Sequence, residues 1–201
     1  MSYRIAVCAS GSGSNLQALL DRLGPDNPAT VVLVLSDRGG ARALDRARAA
    51  GVTAEVFDQP SDAAEWLDRL GRREIDLVVL AGYLKLVPAP VVAAYAGRMI
   101  NIHPALLPKF GGHGMYGRRV HEAVLASGDT ESGATVHLVD EEFDHGTVLA
   151  QARVSVESND TPDSLARRVL DQEHRLLPAV VLAAARAGRP VPLTEPVNPQ
   201  P

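Results

Sequence analysis

The runs Met99–Pro104 and Glu142–Gly146 contain the three side chains whose chemistry is most suggestive. Asn101 and His103 lie two residues apart in the first run, and Asp144 lies in the second. An amide can donate to a developing oxyanion, an imidazole can transfer a proton, and a carboxylate can hold that imidazole in its charged form. Together these groups could move an acyl group onto an amine.

Asn101 and His103 lie at the end of a predicted strand over Met99–Ile102. Because residues two apart on a strand point the same way, both can face one cleft. The alternative is a buried Asn and His that only satisfy backbone groups, and the presence of two polar residues on one face weakens it. Asp144 has several acidic neighbours in its loop, and the residue types alone do not select it over them.

The Gly/Ser segment Ser10–Asn15 joins a predicted strand over Tyr3–Ala9 to a predicted helix over Asn15–Leu23. Glycines allow close approach to a ligand, and a helix N-terminus offers N–H groups to an anion. Leu16 stands where a dinucleotide fingerprint needs its third glycine, and the lysine of a Walker loop is missing. The segment therefore predicts a phosphate monoester site at the carboxyl end of a strand. The alternative is an ordinary turn with a Ser or Asn cap.

The elements that must position these residues alternate between strand and helix in the first half of the chain, which predicts β-α-β units. With right-handed crossovers, they predict an α/β, doubly wound, mostly parallel, Rossmann-like sheet. In the second half, the short acidic loop Asp140–Gly146 predicts an antiparallel strand pair. The predicted strands are Tyr3–Ala9, Val31–Leu35, Thr53–Phe57, Leu77–Ala81, Met99–Ile102, Ala134–Val139 and Val148–Val156, and the predicted helices before the C-terminal one are Asn15–Leu23, Ala41–Ala50, Ser61–Arg73 (with Ser61 as N-cap) and Arg119–Ala126.

The segment Thr161–Ser164 predicts the start of a long C-terminal helix, with a Thr cap and Pro at the first helical position. Gly188 is its predicted end, and Pro178 predicts a kink. The expected organisation is a single domain over residues 1–189 and a proline-rich tail over residues 190–201 that is extended or disordered.

Composition limits the functional classes. The 201 residues are 46% hydrophobic and 22% charged, and the net charge of −4 argues against binding nucleic acid by bulk electrostatics. No apolar run is long enough to span a membrane and no signal pattern is visible, so a cytoplasmic location is expected. Cys8, the one cysteine, lies in an apolar run and predicts a core residue, and the six histidines lack zinc-ligand spacing, so no metal is expected.

Two other segments allow more than one interpretation. Leu84–Val87 leave the fourth predicted strand as an apolar loop, which is either core cover or the wall of a pocket for a flat aromatic ligand. Glu173 lies inside the C-terminal helix, where an exposed glutamate is the ordinary expectation.

Six segments in a fixed order carry a resemblance to a known family. They are Gly11–Leu19, Val79–Tyr83, Ile100–Pro108, Gly133–His137, Asp144 with Gly146, and Gln172–His174. On these segments the chain resembles the phosphoribosylglycinamide formyltransferases, the folate-dependent enzymes of purine synthesis. Each segment alone is a weak signal, whereas six in order are highly specific and span almost the whole chain up to the tail.

The resemblance implies the formyltransferase fold and transfer of the formyl group of 10-formyltetrahydrofolate, a co-substrate, to the amine of N1-(5-phospho-D-ribosyl)glycinamide in de novo purine (IMP) biosynthesis. The partners implied are small molecules, with no nucleic acid, membrane or metal, and the chain is expected to be a monomer or homodimer.

The resemblance also implies residue roles. Asn101 and His103 would stabilise the tetrahedral intermediate, with His103 as proton donor, and Asp144 would keep His103 charged, which selects it from the acidic run. The implied substrate-binding residues are Gly13, Ser14 and Asn15 at the phosphate and Glu173 at the glycinamide or ribose end, and the implied folate-binding residues are Leu84, Lys85, Leu86, Val87, Asn101 and Asp140.

Two features depart from the family pattern. The region ahead of the third helix is short and acidic, with Asp58 and Asp62, where members often carry a basic folate-contacting residue. No residue is therefore assigned to that role. The segment Phe110–Gly117 is longer than in many members, and its glycines predict a mobile cover over the substrate mouth.

Three other functions are alternatives. A formyltetrahydrofolate hydrolase would carry an additional N-terminal regulatory domain, whereas the first predicted strand begins at Tyr3. A methionyl-tRNA formyltransferase would need a further C-terminal domain and a basic RNA surface. A non-catalytic module would use the Gly/Ser segment to sense a sugar phosphate, and it would tolerate Asn101→Ala.

Overall fold

The computed structural model describes residues 2–24 and 26–193 and has a seven-stranded sheet between two layers of helices. The strands are β1 (Tyr3–Cys8), β2 (Ala29–Ser36), β3 (Thr53–Val56), β4 (Leu77–Leu80), β5 (Met99–His103), β6 (Glu131–Leu138) and β7 (Val148–Ser155). The helices are α1 (Ser14–Arg22), α2 (Arg42–Ala49), α3 (Ala63–Gly71), α4 (Ala89–Ala94), α5 (Arg118–Ser127) and α6 (Pro162–Ala187).

The strand order is β3-β2-β1-β4-β5-β6-β7. Strands β1 to β5 pair in parallel, and β6 and β7 are antiparallel to their neighbours. The predicted α/β fold, a mostly parallel sheet with an antiparallel pair in the C-terminal half, is therefore confirmed.

The central strands of the sheet are apolar, because helices cover both faces of the sheet. All four residues of β4 are buried, as expected for a central parallel strand. One core packs α1, α2, α5 and α6 against the sheet, and the other packs α3 and α4 against the opposite face. The chain changes direction across the sheet between β1 and β4, and a crevice opens at the carboxyl ends of the strands at such a switch point.

The start and end of α6 match the prediction. The Thr161 hydroxyl accepts a hydrogen bond from the Ser164 N–H at 3.1 Å, and Gly188 ends the helix with φ 69° in the left-handed region. The helix continues through Pro178 as one element. Its buried residues pack on the sheet, and Glu173 is carried to the edge of the crevice.

One predicted detail was wrong, and one short helix was not predicted. Asp62, not Ser61, caps α3, because the Asp62 carboxylate accepts from the Ala64 N–H at 2.9 Å. Helix α4 was not predicted, since it has only six residues and begins among prolines, with Pro88 as its N-cap. Within the described ranges, no helix has the length and apolar character needed to cross a membrane.

The predicted proline-rich tail falls mainly outside the described residues, which end at residue 193. In the described part, the Leu193 N–H donates to the Leu149 carbonyl of β7 at 2.9 Å. The first residues of the tail therefore contact the sheet.

Candidate active site

A cleft of about 640 Å³ opens at the carboxyl ends of β1, β4 and β5. This is the switch point of the sheet, where α/β folds bind their ligands. The cleft is lined by every residue that the sequence assigned to a site: Gly13, Ser14, Asn15, Leu84, Lys85, Leu86, Val87, Asn101, His103, Asp140, Asp144 and Glu173.

The amide and the imidazole predicted to act together with a carboxylate both contact it. The Asn101 Nδ2 atom donates to Asp144 Oδ1 at 3.2 Å, and His103 Nδ1 lies 3.4 Å from Asp144 Oδ2. Strand β5 supplies the first two residues on one face, and the loop between β6 and β7 brings Asp144 over them. The geometry therefore selects Asp144 from the acidic run, which the residue types alone could not do.

Both ring nitrogens of His103 face acceptors. Nδ1 faces Asp144, and Nε2 lies 2.8 Å from the Phe110 carbonyl oxygen. A neutral imidazole can donate from only one nitrogen, whereas an imidazolium can donate from both. The ring is therefore held in place from both sides, by the Asp144 carboxylate and by the Phe110 carbonyl.

Asp144 is held in its ionised form. Burial opposes ionisation, but the His103 and His137 rings and the Gly112 N–H outweigh it, so the pKa of Asp144 lies well below its usual range. The Gly112 N–H donates to Asp144 Oδ2 at 3.0 Å. The segment predicted to be a mobile cover therefore contacts both His103 and Asp144 through its backbone.

Sequence reasoning missed two histidines of the cleft. His137 lies directly opposite Asn101 in the β5–β6 register, with its Nε2 atom 3.1 Å from Asn101 Nδ2. It lies in the family segment Gly133–His137, and the alternation of side chains along β6 is the signal that could have found it. His121 on α5 is buried, and its Nδ1 atom has no hydrogen-bond partner among the described residues. Burial and the nearby His103 lower the pKa of His121.

The Gly/Ser segment forms an uncapped helix start. Gly13 is the N-cap of α1, with φ 69°, and makes no side-chain cap bond, so the Ser- or Asn-capped turn is not observed. A Cβ atom at Gly13 would lie 2.6 Å from the Ala43 Cα atom, so the close approach of α2 also requires glycine. The N–H groups of Ser12, Gly13 and Ser14 donate to none of the described residues. They are available to an anion in the cleft.

Glu173 is buried rather than exposed, contrary to the ordinary expectation for a helix glutamate. Asn15 Nδ2 donates to Glu173 Oε2 at 2.6 Å, and Asn15 Oδ1 is buried without a partner among the described residues. Burial raises the pKa of Glu173 to about 7, although the Asn15 bond and the His103 charge act in the opposite direction. The pair offers acceptors to hydroxyl or amine donors of a ligand.

Replacing Glu173 with glutamine is expected to stabilise the ligand-free protein at pH 8. Because the folded-state pKa of Glu173 is raised, its favourable contribution to the free energy of unfolding is present at low pH and is lost as pH rises through about 7. At pH 8 the free energy of unfolding of Glu173→Gln should exceed that of the wild type by on the order of 2 kcal/mol, and by pH 5 this difference should become small. Thermal unfolding at both pH values measures it, and a difference independent of pH would contradict the assignment.

The opposite end of the cleft is apolar and partly open. Leu84 and Leu86 follow β4, and Phe143 and Tyr116 are exposed large side chains that also line the cleft. The Leu84 N–H donates to the Ser10 hydroxyl at 3.0 Å, which ties this wall to the Gly/Ser segment. Of the two interpretations of Leu84–Val87, the pocket wall is the one that the geometry favours.

Comparisons with known proteins agree with this architecture. A family model described as "Formyl transferase" matches residues 3–181. A phosphoribosylglycinamide formyltransferase of Arabidopsis thaliana, named as chloroplastic, is 47% identical over 189 residues, which are 89% of this chain and 64% of that protein. The Escherichia coli phosphoribosylglycinamide formyltransferase is 41% identical over 184 residues, covering 88% of this chain and 84% of that protein.

A solved structure adds a match in three dimensions. The crystal structure of glycinamide ribonucleotide transformylase 1 from Symbiobacterium toebii superposes with a TM-score of 0.85 at 41% identity. The match covers 92% of this chain and 89% of that one. The chain spans less than two thirds of the length of the plant relatives that it matches, at 64% and 60%. The family match over most of the sequence, together with the shared fold, shows that this chain belongs to the formyl transferase family.

Proposed function

We propose that the protein transfers the formyl group of 10-formyltetrahydrofolate to the amine of N1-(5-phospho-D-ribosyl)glycinamide, a step of de novo purine biosynthesis. The observation that carries the proposal is the cluster of Asn101, His103 and Asp144 in the same cleft as an uncapped helix start. The three side chains suit a tetrahedral acyl intermediate, and the uncapped helix start suits a phosphate. Relatives whose names state this activity support it.

Each substrate has a matching part of the cleft. The ribonucleotide phosphate would bind at Gly13, Ser14 and Asn15, and Glu173 would contact the ribose or glycinamide donors. The flat folate ring would lie on the wall Leu84–Val87, and the loop around Asp140 would close over it. This arrangement brings the amine and the formyl carbon together, and proximity alone can lower the barrier by several kcal/mol.

The reaction begins when the amine nitrogen attacks the formyl carbon, and the carbonyl oxygen becomes an oxyanion. Asn101 and charged His103 would donate to this oxygen, His103 through the Nε2 atom that contacts the Phe110 carbonyl in the ligand-free protein, an effect worth about 10²–10³ in rate per donor. The intermediate collapses as the bond between the formyl carbon and N10 of the folate breaks. N10 takes a proton from His103. The former amine loses a proton to a water beside Asp144, and this proton returns to His103, so that one proton in all passes from the amine to N10.

The protein would act on these two small molecules as a monomer or homodimer, without a metal ion, in the cytoplasm. The plant relatives, named as chloroplastic, indicate that related proteins also work in an organelle.

The proposed activity is tested by following tetrahydrofolate formation by absorbance with and without the glycinamide ribonucleotide. We expect formyl loss to depend on the amine and to yield one formylated ribonucleotide per tetrahydrofolate. Formyl loss that does not need the amine would instead identify a hydrolase. Ribonucleotide binding with no formyl loss would identify a non-catalytic sugar-phosphate module.

A further inference from the structure

Helix α2 contacts the Gly/Ser segment from the side opposite the cleft. The Ala43 N–H donates to the Gly11 carbonyl at 3.2 Å. Arg46 Nε donates to the Ser12 carbonyl at 2.8 Å, and Arg46 Nη1 donates to the Gln17 side-chain oxygen at 3.0 Å. Arg46 therefore bridges the segment and the first turn of α1.

These contacts determine which way the peptide groups point. In a trans peptide, the carbonyl and the N–H that share a plane point in opposite directions. Because the Gly11 and Ser12 carbonyls turn toward α2, the N–H groups of Ser12 and Gly13 turn away from α2, toward the cleft. Successive N–H groups pointing into one concavity form an anion-binding nest.

Arg46 also places a positive charge beside a segment that contains no lysine or arginine. In the described part of the chain, Arg46 is in no ion pair, whereas its neighbour Arg48 pairs with Asp45 at 3.1 Å. A cation that is not neutralised raises the potential felt by a phosphate dianion nearby. Its guanidinium is fixed by two acceptors, so this charge is held in place.

We infer that Arg46 is a positioning residue for the substrate phosphate: it holds the Ser12 carbonyl against α2 so that the Ser12 and Gly13 N–H groups face the phosphate, without itself touching the ligand. This inference rests on the proposed function for the identity of the ribonucleotide. The anion site itself can be tested with inorganic phosphate, independently of turnover.

The test compares the wild type with Arg46→Met, which keeps the apolar stem and removes both donated bonds. We expect the KM for the ribonucleotide and the Kd of inorganic phosphate, from isothermal titration, to rise together by about tenfold, equivalent to about 1.4 kcal/mol. We expect kcat and the KM for the folate to stay within about twofold, because the lost interaction serves ground state and transition state alike. Arg46→Lys, which keeps the charge but can reach fewer acceptors, should recover part of the loss.

Arg48→Met on the same helix is the matched control, and it should change none of these constants. Unchanged phosphate affinity in Arg46→Met would overturn the inference. So would an equal loss of phosphate and folate affinity with a lowered Tm, because that result describes a general folding defect. If Arg46→Met does not fold, phosphate affinity of Arg46→Lys equal to that of the wild type contradicts the inference. A wild type that binds phosphate but transfers no formyl group refutes only the proposed function.

Discussion

His103→Ala is expected to lower kcat by about 10³-fold or more, since under the proposed mechanism it removes both an oxyanion donor and the proton donor to the leaving nitrogen. The ring is buried between Asp144 and the Phe110 carbonyl, and alanine keeps neither contact. The KM values should change much less than kcat, because the lost interaction is made mainly in the transition state. Steady-state kinetics with both substrates varied measure this.

The matched control for this prediction is His145→Ala. His145 is exposed on the same loop as Asp144, does not line the cleft, and pairs with Asp140 at 3.2 Å. Its replacement should leave kcat close to the wild-type value. A His103→Ala protein that folds and retains most of its kcat would remove His103 from the mechanism.

Asp144→Asn is expected to lower kcat by about 10²–10³-fold, as steady-state kinetics would measure. The depressed pKa of Asp144 keeps the carboxylate ionised throughout the neutral range, where it faces the His103 ring. An uncharged amide attracts the His103 ring less strongly than a carboxylate does, so the ring should be held less firmly beside the reacting carbonyl.

The same substitution affects stability with a definite sign. Because the folded-state pKa of Asp144 is lowered, its favourable contribution to the free energy of unfolding is present above the unfolded-state pKa. This contribution is lost as pH falls through the folded-state pKa. Asp144→Asn should therefore be less stable than the wild type at pH 7, and this difference should diminish in acid. Glu141→Gln, an exposed neighbour that does not line the cleft, is the control. A folded Asp144→Asn protein that keeps a kcat close to the wild-type value would exclude Asp144 from the mechanism.

Several parts of the fold could be predicted because local patterns determine them. Apolar runs separated by helical patterns fix the parallel sheet, and the motifs that follow Cys8 and Leu80 then meet at one edge. Two polar residues on one face of β5 predicted part of the candidate site. These predictions needed only the periodicity of each element and the rules for connecting them.

Other parts depend on contacts between distant segments and could not be predicted from residue types. The contact of the His103 ring with the Phe110 carbonyl and the hydrogen bond that the Gly112 N–H donates to Asp144 involve backbone atoms, which carry no signal in the sequence. The burial of Glu173 depends on how α6 packs beside α1, and the isolated helix pattern predicted exposure. Residue types alone could not distinguish Asp144 from its acidic neighbours, although the family resemblance did.

In the proposed reaction, the amine attacks the formyl carbon beside the Asn101–His103–Asp144 cluster while the Gly/Ser segment holds the phosphate of the ribonucleotide. A crystal structure with the glycinamide ribonucleotide and a non-reactive folate analogue tests it most directly. We expect the carbonyl oxygen of the analogue to lie within hydrogen-bond distance of Asn101 Nδ2 and the His103 ring, with the phosphate on the Ser12 and Gly13 N–H groups. A phosphate bound elsewhere, or a carbonyl directed away from these two side chains, would contradict it.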